Sequence, residues 1–188
     1  MNSQHHLFQF KITLIGSRPP IWRRILVPSD FTFGEFSQAI IDSMGWLDYH
    51  THDFKLRNPI NWRRCTISMH FYSKHYEENE IIKDYFSFQN INAIFTYDYG
   101  DWWEHLIEFE GIFIPEQGKK YPICLEGCRR CPLEDSGGVS GYENVLEILS
   151  DPYHEEFEQT IDWIPDDFNS EYFSAGDIAF DDLIVQQY

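Results

Sequence analysis

The segment Ile94–Glu110, which reads IFTYDYGDWWEHLIEFE, constrains the fold of this chain more than any other stretch. Two runs rich in aromatic and β-branched residues flank the dipeptide Gly100-Asp101. This pattern predicts a β-hairpin closed by a two-residue turn with glycine at its first position. Because side chains alternate between the two faces of a strand, the second run should bury one alternate set against the core. That set consists of Trp103, His105, Ile107 and Phe109.

Polar side chains gather near one end of this predicted hairpin, beside two tryptophans. They are Asp98, Asp101, Glu104 and His105. The pattern fits either a functional site or a core hairpin with a polar tip. In the first case Asp98, Asp101 and His105 bind the ion of a metal-dependent hydrolase. Glu104 is then the candidate general base, and His50 and His52 are further candidate ligands.

Strands are predicted early in the chain and helices late. Alternating apolar residues predict strands over 7–15, 21–27, 50–56 and 65–71. A capping box at Thr32 and Glu35 predicts the start of a helix that ends at Gly45. A second capping box, at Ser140 and Glu143, predicts the start of another helix.

The region around and after the second capping box supports three more predictions. Residues 119–141 are rich in Gly, Pro and Cys without periodicity, which predicts a long ordered loop. The dipeptide Asp151-Pro152 predicts the start of a helix that Pro165 ends. Residues 166–188 predict one or two short helices.

A single α+β domain over residues 1–188 accounts for this order of elements. We expect an antiparallel or mixed sheet with hairpins in the first two thirds, helices packed on it, and a helical acidic C-terminal part. Aromatic residues make up 18% of the chain, which supplies enough apolar surface for one sizeable core. The chain has no internal repeat and no interdomain linker.

The charges are segregated along the chain. All 14 Lys and Arg lie at or before Arg130, together with 16 of the 31 acids, so this part has a net charge near −2. The part from Cys131 onward contains 15 acids and no Lys or Arg. Since an acidic surface repels phosphates, any nucleic acid should contact the earlier part.

Arginines next to tryptophans are the candidate contact residues. They are Trp22, Arg23, Arg24, Arg63 and Arg64, with Trp103 as a further candidate. Such a face predicts a non-catalytic interaction module that binds a nucleic acid, as single strands, or a protein partner. The same arginines could instead form ion pairs with the acidic C-terminal part.

The cysteines raise the question of zinc. Cys124, Cys128 and Cys131 have the local spacing of a zinc knuckle, which predicts a structural zinc ion that fixes the long loop. A distant histidine would supply the fourth ligand, and the candidates are His50, His52, His105 and His154. Incidental reduced cysteines are the alternative interpretation.

The compartment is predicted from the N-terminus and from hydropathy. The N-terminus MNSQHHLFQF lacks a basic start and an apolar signal core. No apolar run approaches the roughly 20 residues needed to span a membrane. We therefore expect a cytoplasmic protein with no membrane partner.

Several separated motifs of this chain resemble the plasmid pRiA4b ORF-3-like family. They are residues 16–24 (GSRPPIWRR), 44–46 (MGW), 49–50 (YH), 52–54 (HDF), 97–101 (YDYGD) with Trp103 and His105, 121–122 (YP), 124–127 (CLEG), 131–132 (CP), 134–135 (ED), 137–138 (GG) and 141–142 (GY). The match runs in register through most of the chain. It implies a mixed α+β fold and a link to mobile elements, since some members are resolvase-named passengers of insertion elements.

Three positions depart from the family pattern. Cys128 stands where cysteine is unusual, Ser136 where it is common, and Trp102 where a second acid is usual. By resemblance, a shared metal site would therefore use Cys124 and Cys131 with histidines. The chain contains no serine or tyrosine recombinase motif, so a resolvase activity is not expected.

Overall fold

The computed structural model describes residues 6–180 and the short strand Gln186–Gln187. These residues form nine strands and three α-helices, together with three 3₁₀ turns. The strands are β1 (Leu7–Leu14), β2 (Trp22–Pro28), β3 (His52–Arg57), β4 (Arg64–Ser68), β5 (Asn92–Tyr97), β6 (Trp103–Phe113), β7 (Lys120–Tyr121), β8 (Ile123–Cys128) and β9 (Gln186–Gln187). The helices are α1 (Phe33–Met44), α2 (Gly138–Ser150) and α3 (Phe157–Ile161).

Seven strands form one sheet in the order β4-β3-β5-β6-β1-β2-β8. Neighbouring strands in this sheet all run antiparallel. β7 and β9 form a separate two-stranded pair. The α+β fold expected from the sequence is thereby confirmed, with an antiparallel rather than a mixed sheet.

One face of the sheet, the inner face, packs against α1. Phe10 of β1 lies 4.6 Å from Phe36 of α1 between ring centroids, and Phe54 of β3 lies 5.0 Å from Phe33. All four rings are fully buried. Burying side chains of this size contributes about 1.5–3 kcal/mol each, so this aromatic layer is a main source of stability. The opposite, outer face carries the polar members of the alternating pattern.

Helix α1 begins and ends as predicted. The Thr32 hydroxyl accepts a hydrogen bond from the Glu35 amide at 3.1 Å, and the Glu35 carboxylate accepts one from the Thr32 amide at 2.7 Å. Gly45 ends the helix with a φ of 81°, a left-handed conformation that glycine adopts without strain. The amphipathic pattern and both caps are local properties, so the sequence alone defines this helix.

The central hairpin is closed by a longer turn than predicted. Tyr97 pairs with Trp103, so five residues connect β5 to β6 instead of two. Asp98 and Trp102 take the left-handed conformation, with φ values of 57° and 60°, whereas Gly100 does not. The Asp98 carboxylate accepts the Gly100 amide at 2.7 Å, and this Asx-type bond favours the wider loop over the glycine turn. The predicted faces of β6 are correct.

Helix α2 begins two residues before the predicted capping box. Its N-cap is Gly137, with a φ of 86°, and no side chain caps it. The Gly137 amide instead donates to a carboxylate oxygen of Asp101 at 2.9 Å. A contact with the distant hairpin therefore decides where this helix starts, and the Ser140–Glu143 box is not formed.

The region predicted as one long loop contains strands. β8 pairs with β2, and β7 pairs with β9, because an open sheet edge and a late segment of the chain supply partners that local sequence does not reveal.

The C-terminal part is less helical than predicted. The Asp151 carboxylate caps a turn by accepting the Tyr153 amide at 3.0 Å, and α3 starts only at Phe157. Within residues 166–180 the helical structure is a 3₁₀ turn at Ala175–Asp177. The rest of the predicted tail helices, over 181–185 and at 188, lies outside the described residues. Among the described helices, none combines the length and the apolar character that a membrane span requires.

Candidate functional site

Hydrogen bonds connect the end of the central hairpin and its neighbour Trp46 to the loop that precedes α2. The Tyr97 hydroxyl donates to the Glu134 carboxylate at 2.6 Å. The Trp46 indole, stacked on Tyr97 with 5.1 Å between centroids, donates to the Pro132 carbonyl at 2.9 Å. Several segments that carry the family resemblance therefore meet at one end of the sheet.

A histidine and two aspartates come together at this junction. His50 Nδ1 lies 3.5 Å from an Asp98 carboxylate oxygen, and His50 Nε2 lies 3.5 Å from an Asp135 oxygen. We call these three residues the His50 cluster. In the described part of the chain it is the one group of three His, Cys, Asp or Glu whose ligand atoms all lie within 4.8 Å of one another. Asp135 was not among the predicted ligands, although it belongs to the Glu134-Asp135 motif of the resemblance.

His105 lies apart from this cluster, inside the core. Its side chain is completely buried on the inner face, with the rings of Trp46 and Phe95 at 5.3 and 5.8 Å. Neither ring nitrogen makes a hydrogen bond of good geometry with a described residue, although the Phe95 and Trp103 backbones lie near enough to oppose part of the effect of burial on its pKa. Burial lowers the pKa of His105 to about 4, which keeps the imidazole neutral at physiological pH. The structure thus gives His105 the role of a core residue in place of the predicted ligand.

The buried imidazole should make the protein sensitive to acid. Because the pKa falls from 6.5 to about 4 on folding, the unfolded chain takes up a proton in this pH range and the folded chain does not. Stability should decrease by on the order of 3 kcal/mol as the pH falls from about 6.5 to about 4. Above that range both states are neutral. Urea unfolding of wild type and His105→Leu at several pH values measures this contribution, which the variant should lack. An identical pH dependence of both proteins would refute the assignment.

The other two candidate catalytic residues are also used elsewhere. Asp101 accepts the hydrogen bond from Gly137 that starts α2. Glu104 follows Trp103 on β6, so its side chain projects from the outer face, away from the His50 cluster. The predicted set of Asp98, Asp101, Glu104 and His105 is therefore not assembled into one site.

His52, predicted as a companion of His50, has a different partner. Its Nε2 lies 2.9 Å from a Glu77 carboxylate oxygen, and both side chains are more than nine-tenths buried. Its Nδ1 has no hydrogen-bond partner among the described residues. His50 and His52 line one small cavity of about 270 Å³.

The cysteines do not form a zinc site in the described residues, where no ligand group of three includes a cysteine. Cys128 is exposed, whereas the buried Cys131 accepts a hydrogen bond from Arg23 at 3.0 Å. Burial raises the pKa of Cys124 to about 11 and also raises that of Cys131, with Arg23 opposing both shifts. Cysteine-bound zinc stays a prediction without geometric support.

The predicted Arg/Trp face is split. Arg23 is buried and donates to the Ser43 and Cys128 carbonyls, and Trp103 is fully buried in the core. Arg24 lies on the outer face beside the Trp22 ring, where Glu110 and Glu126 both pair with its guanidinium. Arg24 therefore does form ion pairs, but with acids that precede the acidic C-terminal part and not with the predicted partners.

The second predicted cluster remains accessible at the opposite edge of the sheet. The strand β4 that carries Arg64 is separated from β2 by four other strands. An open concavity of about 670 Å³ lies there on the outer face. We call it the basic groove, and its main lining residues are Lys55, Arg57, Trp62, Arg64, Ile94 and Glu104. Arg63 is exposed in the adjoining turn.

The fold and these sites define an α+β protein with a helix-backed antiparallel sheet, a histidine–carboxylate cluster at one sheet end and a basic groove at one edge. The chain belongs to the plasmid pRiA4b ORF-3-like family, which it matches over residues 6–177. The resemblance drawn from the separated motifs is therefore confirmed.

Two similar proteins extend this comparison. The uncharacterised protein y4hQ of Sinorhizobium fredii is 31% identical over 197 residues, which cover 95% of this chain and 92% of y4hQ. The crystal structure of MM3350, a protein of unknown function from Methanosarcina mazei Go1, is similar with a TM-score of 0.91 at 40% identity. The similarity covers 94% of this chain and 99% of that one. Neither description specifies a reaction, and the link to mobile elements stays a prediction.

Proposed function

We propose that this protein is an interaction module that binds single-stranded nucleic acid in the basic groove. The observation that carries the proposal is a groove with three cationic side chains, one acid and an exposed indole, on a chain whose net charge is −17. A local positive patch on an acidic protein concentrates anionic ligands at that patch.

Two cations of the groove, Arg57 and Arg64, are available to a ligand. The Arg64 side chain is exposed and has no hydrogen bond or ion pair with any described residue. Arg57 donates to the Trp62 carbonyl at 3.1 Å, which leaves further guanidinium hydrogens free. Lys55 is 43% exposed but already forms an ion pair with Asp53 at 3.6 Å, so it adds less to the attraction of a ligand. Arg24 on β2, by contrast, is already paired with Glu110 and Glu126.

The groove also offers a stacking surface. Trp62 is 46% exposed in the turn between β3 and β4, beside Arg64. Bases of either DNA or RNA stack on indoles, and phosphates pair with neighbouring guanidinium groups. This combination favours a flexible single strand, whose bases are unpaired, over a duplex.

Replacing Arg64 or Trp62 with Ala should weaken the binding of a fluorescein-labelled deoxythymidine or uridine oligonucleotide. Loss of one stacked base costs about 1–3 kcal/mol, which is roughly 5- to 150-fold in Kd for Trp62→Ala. Loss of one phosphate contact should lower the slope of log Kd against log salt by about 0.7 for Arg64→Ala. Fluorescence anisotropy between about 50 and 200 mM salt measures both effects.

Arg24→Ala is the matched control, since it removes an arginine from the same face of the sheet, on β2, which four other strands separate from β4. The Arg24→Ala variant should bind the oligonucleotide with the same Kd as wild type. The proposal fails if wild type does not bind, or if Arg64→Ala and Trp62→Ala bind as wild type does. Such a result would indicate that Arg64 and Trp62 instead protect the edge strand β4 from pairing with other chains.

A further inference from the structure

The His50 cluster lies apart from the basic groove, and its argument does not depend on the proposed function. Its members come from three separate parts of the chain. His50 precedes β3, Asp98 follows β5 in the hairpin loop, and Asp135 lies in the loop before α2. An imidazole nitrogen and two carboxylate oxygens, each from a different segment, are the kind of set that holds a divalent transition-metal ion.

Each aspartate holds one oxygen in place and presents the other to His50. The Asp98 Oδ1 accepts the Gly100 amide at 2.7 Å, and its Oδ2 faces His50 Nδ1. The Asp135 Oδ2 accepts the Tyr49 hydroxyl at 3.2 Å, and its Oδ1 faces His50 Nε2. Outer hydrogen bonds of this kind orient metal ligands in known sites.

The imidazole is also held in position. The His50 ring lies 4.4 Å from the Tyr49 ring and 5.6 Å from the Tyr97 ring, between centroids. Its Nε2 is inaccessible to solvent and has no hydrogen-bond partner among the described residues. The distance of 3.5 Å to each carboxylate exceeds the 2.7–3.2 Å that is usual for an N–H···O bond. An imidazole binds an ion through one ring nitrogen, and one ligand atom from each of the three residues lies within 4.8 Å of the other two, which is close enough for a shared ion.

The neighbouring cavity is lined by another histidine that has a buried nitrogen without a hydrogen-bond partner. His52 lines the same cavity of about 270 Å³ as His50, with 6% of its side chain exposed. Its Nδ1 has no partner in the described structure, although a buried polar atom without one is costly. Glu77 and Glu78 also line this cavity, so its charge favours a cation.

We propose that His50, Asp98 and Asp135 bind one divalent transition-metal ion of the zinc type. Imidazole disfavours calcium and magnesium, which take oxygen ligands, and two carboxylates suit an ion of charge +2. Three protein ligands leave at least one coordination position open, as in sites where the ion acts on a bound water or substrate. The Asp135 side chain is 68% exposed, so an ion can reach the cluster from solvent on that side.

The test is titration of the chelator-treated full-length protein with Zn²⁺ by calorimetry and with Co²⁺ by visible absorption. Wild type should bind one ion per chain at the cluster. Asp135→Asn should weaken binding at least tenfold, and His50→Gln should weaken it similarly. Asp135→Asn carries the test, because an exposed carboxylate can be replaced without threatening the fold. Glu143→Gln, which also removes one exposed acid, should bind as wild type does.

Co²⁺ identifies the ligands independently of affinity, since thiolate ligation adds intense near-ultraviolet charge-transfer bands that imidazole and carboxylate ligation lack. The proposal is overturned if wild type binds no ion, if Asp135→Asn binds as tightly as wild type, or if the spectrum is that of a thiolate site. The first outcome would leave His50 as a side chain that packs between the two aspartates without an ion. The last outcome would indicate that Cys124 and Cys131 bind the metal instead.

Discussion

Replacing Trp103 with Ala should destabilise the protein by about 3–5 kcal/mol, the range for removing a large aromatic side chain from a core. Trp103 is fully buried on β6, and its ring lies 5.7 Å from Trp46, which covers the inner face at this end of the sheet. The cavity left behind could not close without moving Trp46 and the loop to which it donates a hydrogen bond. Since native domains are stable by only 5–15 kcal/mol, this is a large share of the total.

Trp102→Ala is the matched control for this substitution. Trp102 is the adjacent tryptophan, but it is half exposed and contacts Lys55 and Tyr99 at the surface. Its replacement should cost less than about 1 kcal/mol, because it leaves no cavity. Urea unfolding followed by circular dichroism gives both free energies. Equal losses in the two variants would mean that the burial of these tryptophans has been misassigned.

Gly141→Ala should strongly destabilise the region around the His50 cluster. A Cβ at this position in α2 would lie 2.0 Å from the Ser136 carbonyl oxygen. The obstructing atom belongs to the backbone, so the clash can be relieved only by moving the loop or unwinding the first turn of the helix. We expect a loss of about 3 kcal/mol or more, at the upper end for overpacked sites.

The same change should reach the His50 cluster, because Asp135 precedes Ser136 in the displaced loop. Gly176→Ala provides the control, since its added Cβ would meet its nearest atom at 3.8 Å, an ordinary contact. Thermal unfolding should separate the two variants clearly, and limited proteolysis should show new cleavage in the loop before α2 for Gly141→Ala alone. Wild-type stability of Gly141→Ala would show that this loop packs differently.

The positions where sequence reasoning succeeded share a local cause. The alternation along β6 defined its buried face, and the Thr32–Glu35 box and Gly45 defined α1, because each signal lies within one element. The positions where it failed depend on distant partners. The start of α2 follows from the carboxylate of Asp101, and β8 exists because β2 offers it an edge.

The candidate sites show the same contrast between local signals and distant contacts. Residue type and spacing singled out His50 and Asp98, but nothing local linked them to Asp135 or separated them from His105. Likewise, the sequence showed two arginine clusters. The strand order placed one on the edge strand β4 and the other on β2, with four other strands between them, and the fold buried Arg23.

By itself the sequence determined the family, the α+β class, the central hairpin and the charge segregation, because motifs, side-chain periodicity and composition are properties of the chain as written. The tertiary structure alone decided which chemical groups meet. Contacts such as that between His50 and Asp135 join residues far apart in the chain. They depend on strand order and loop path, which local propensities do not encode.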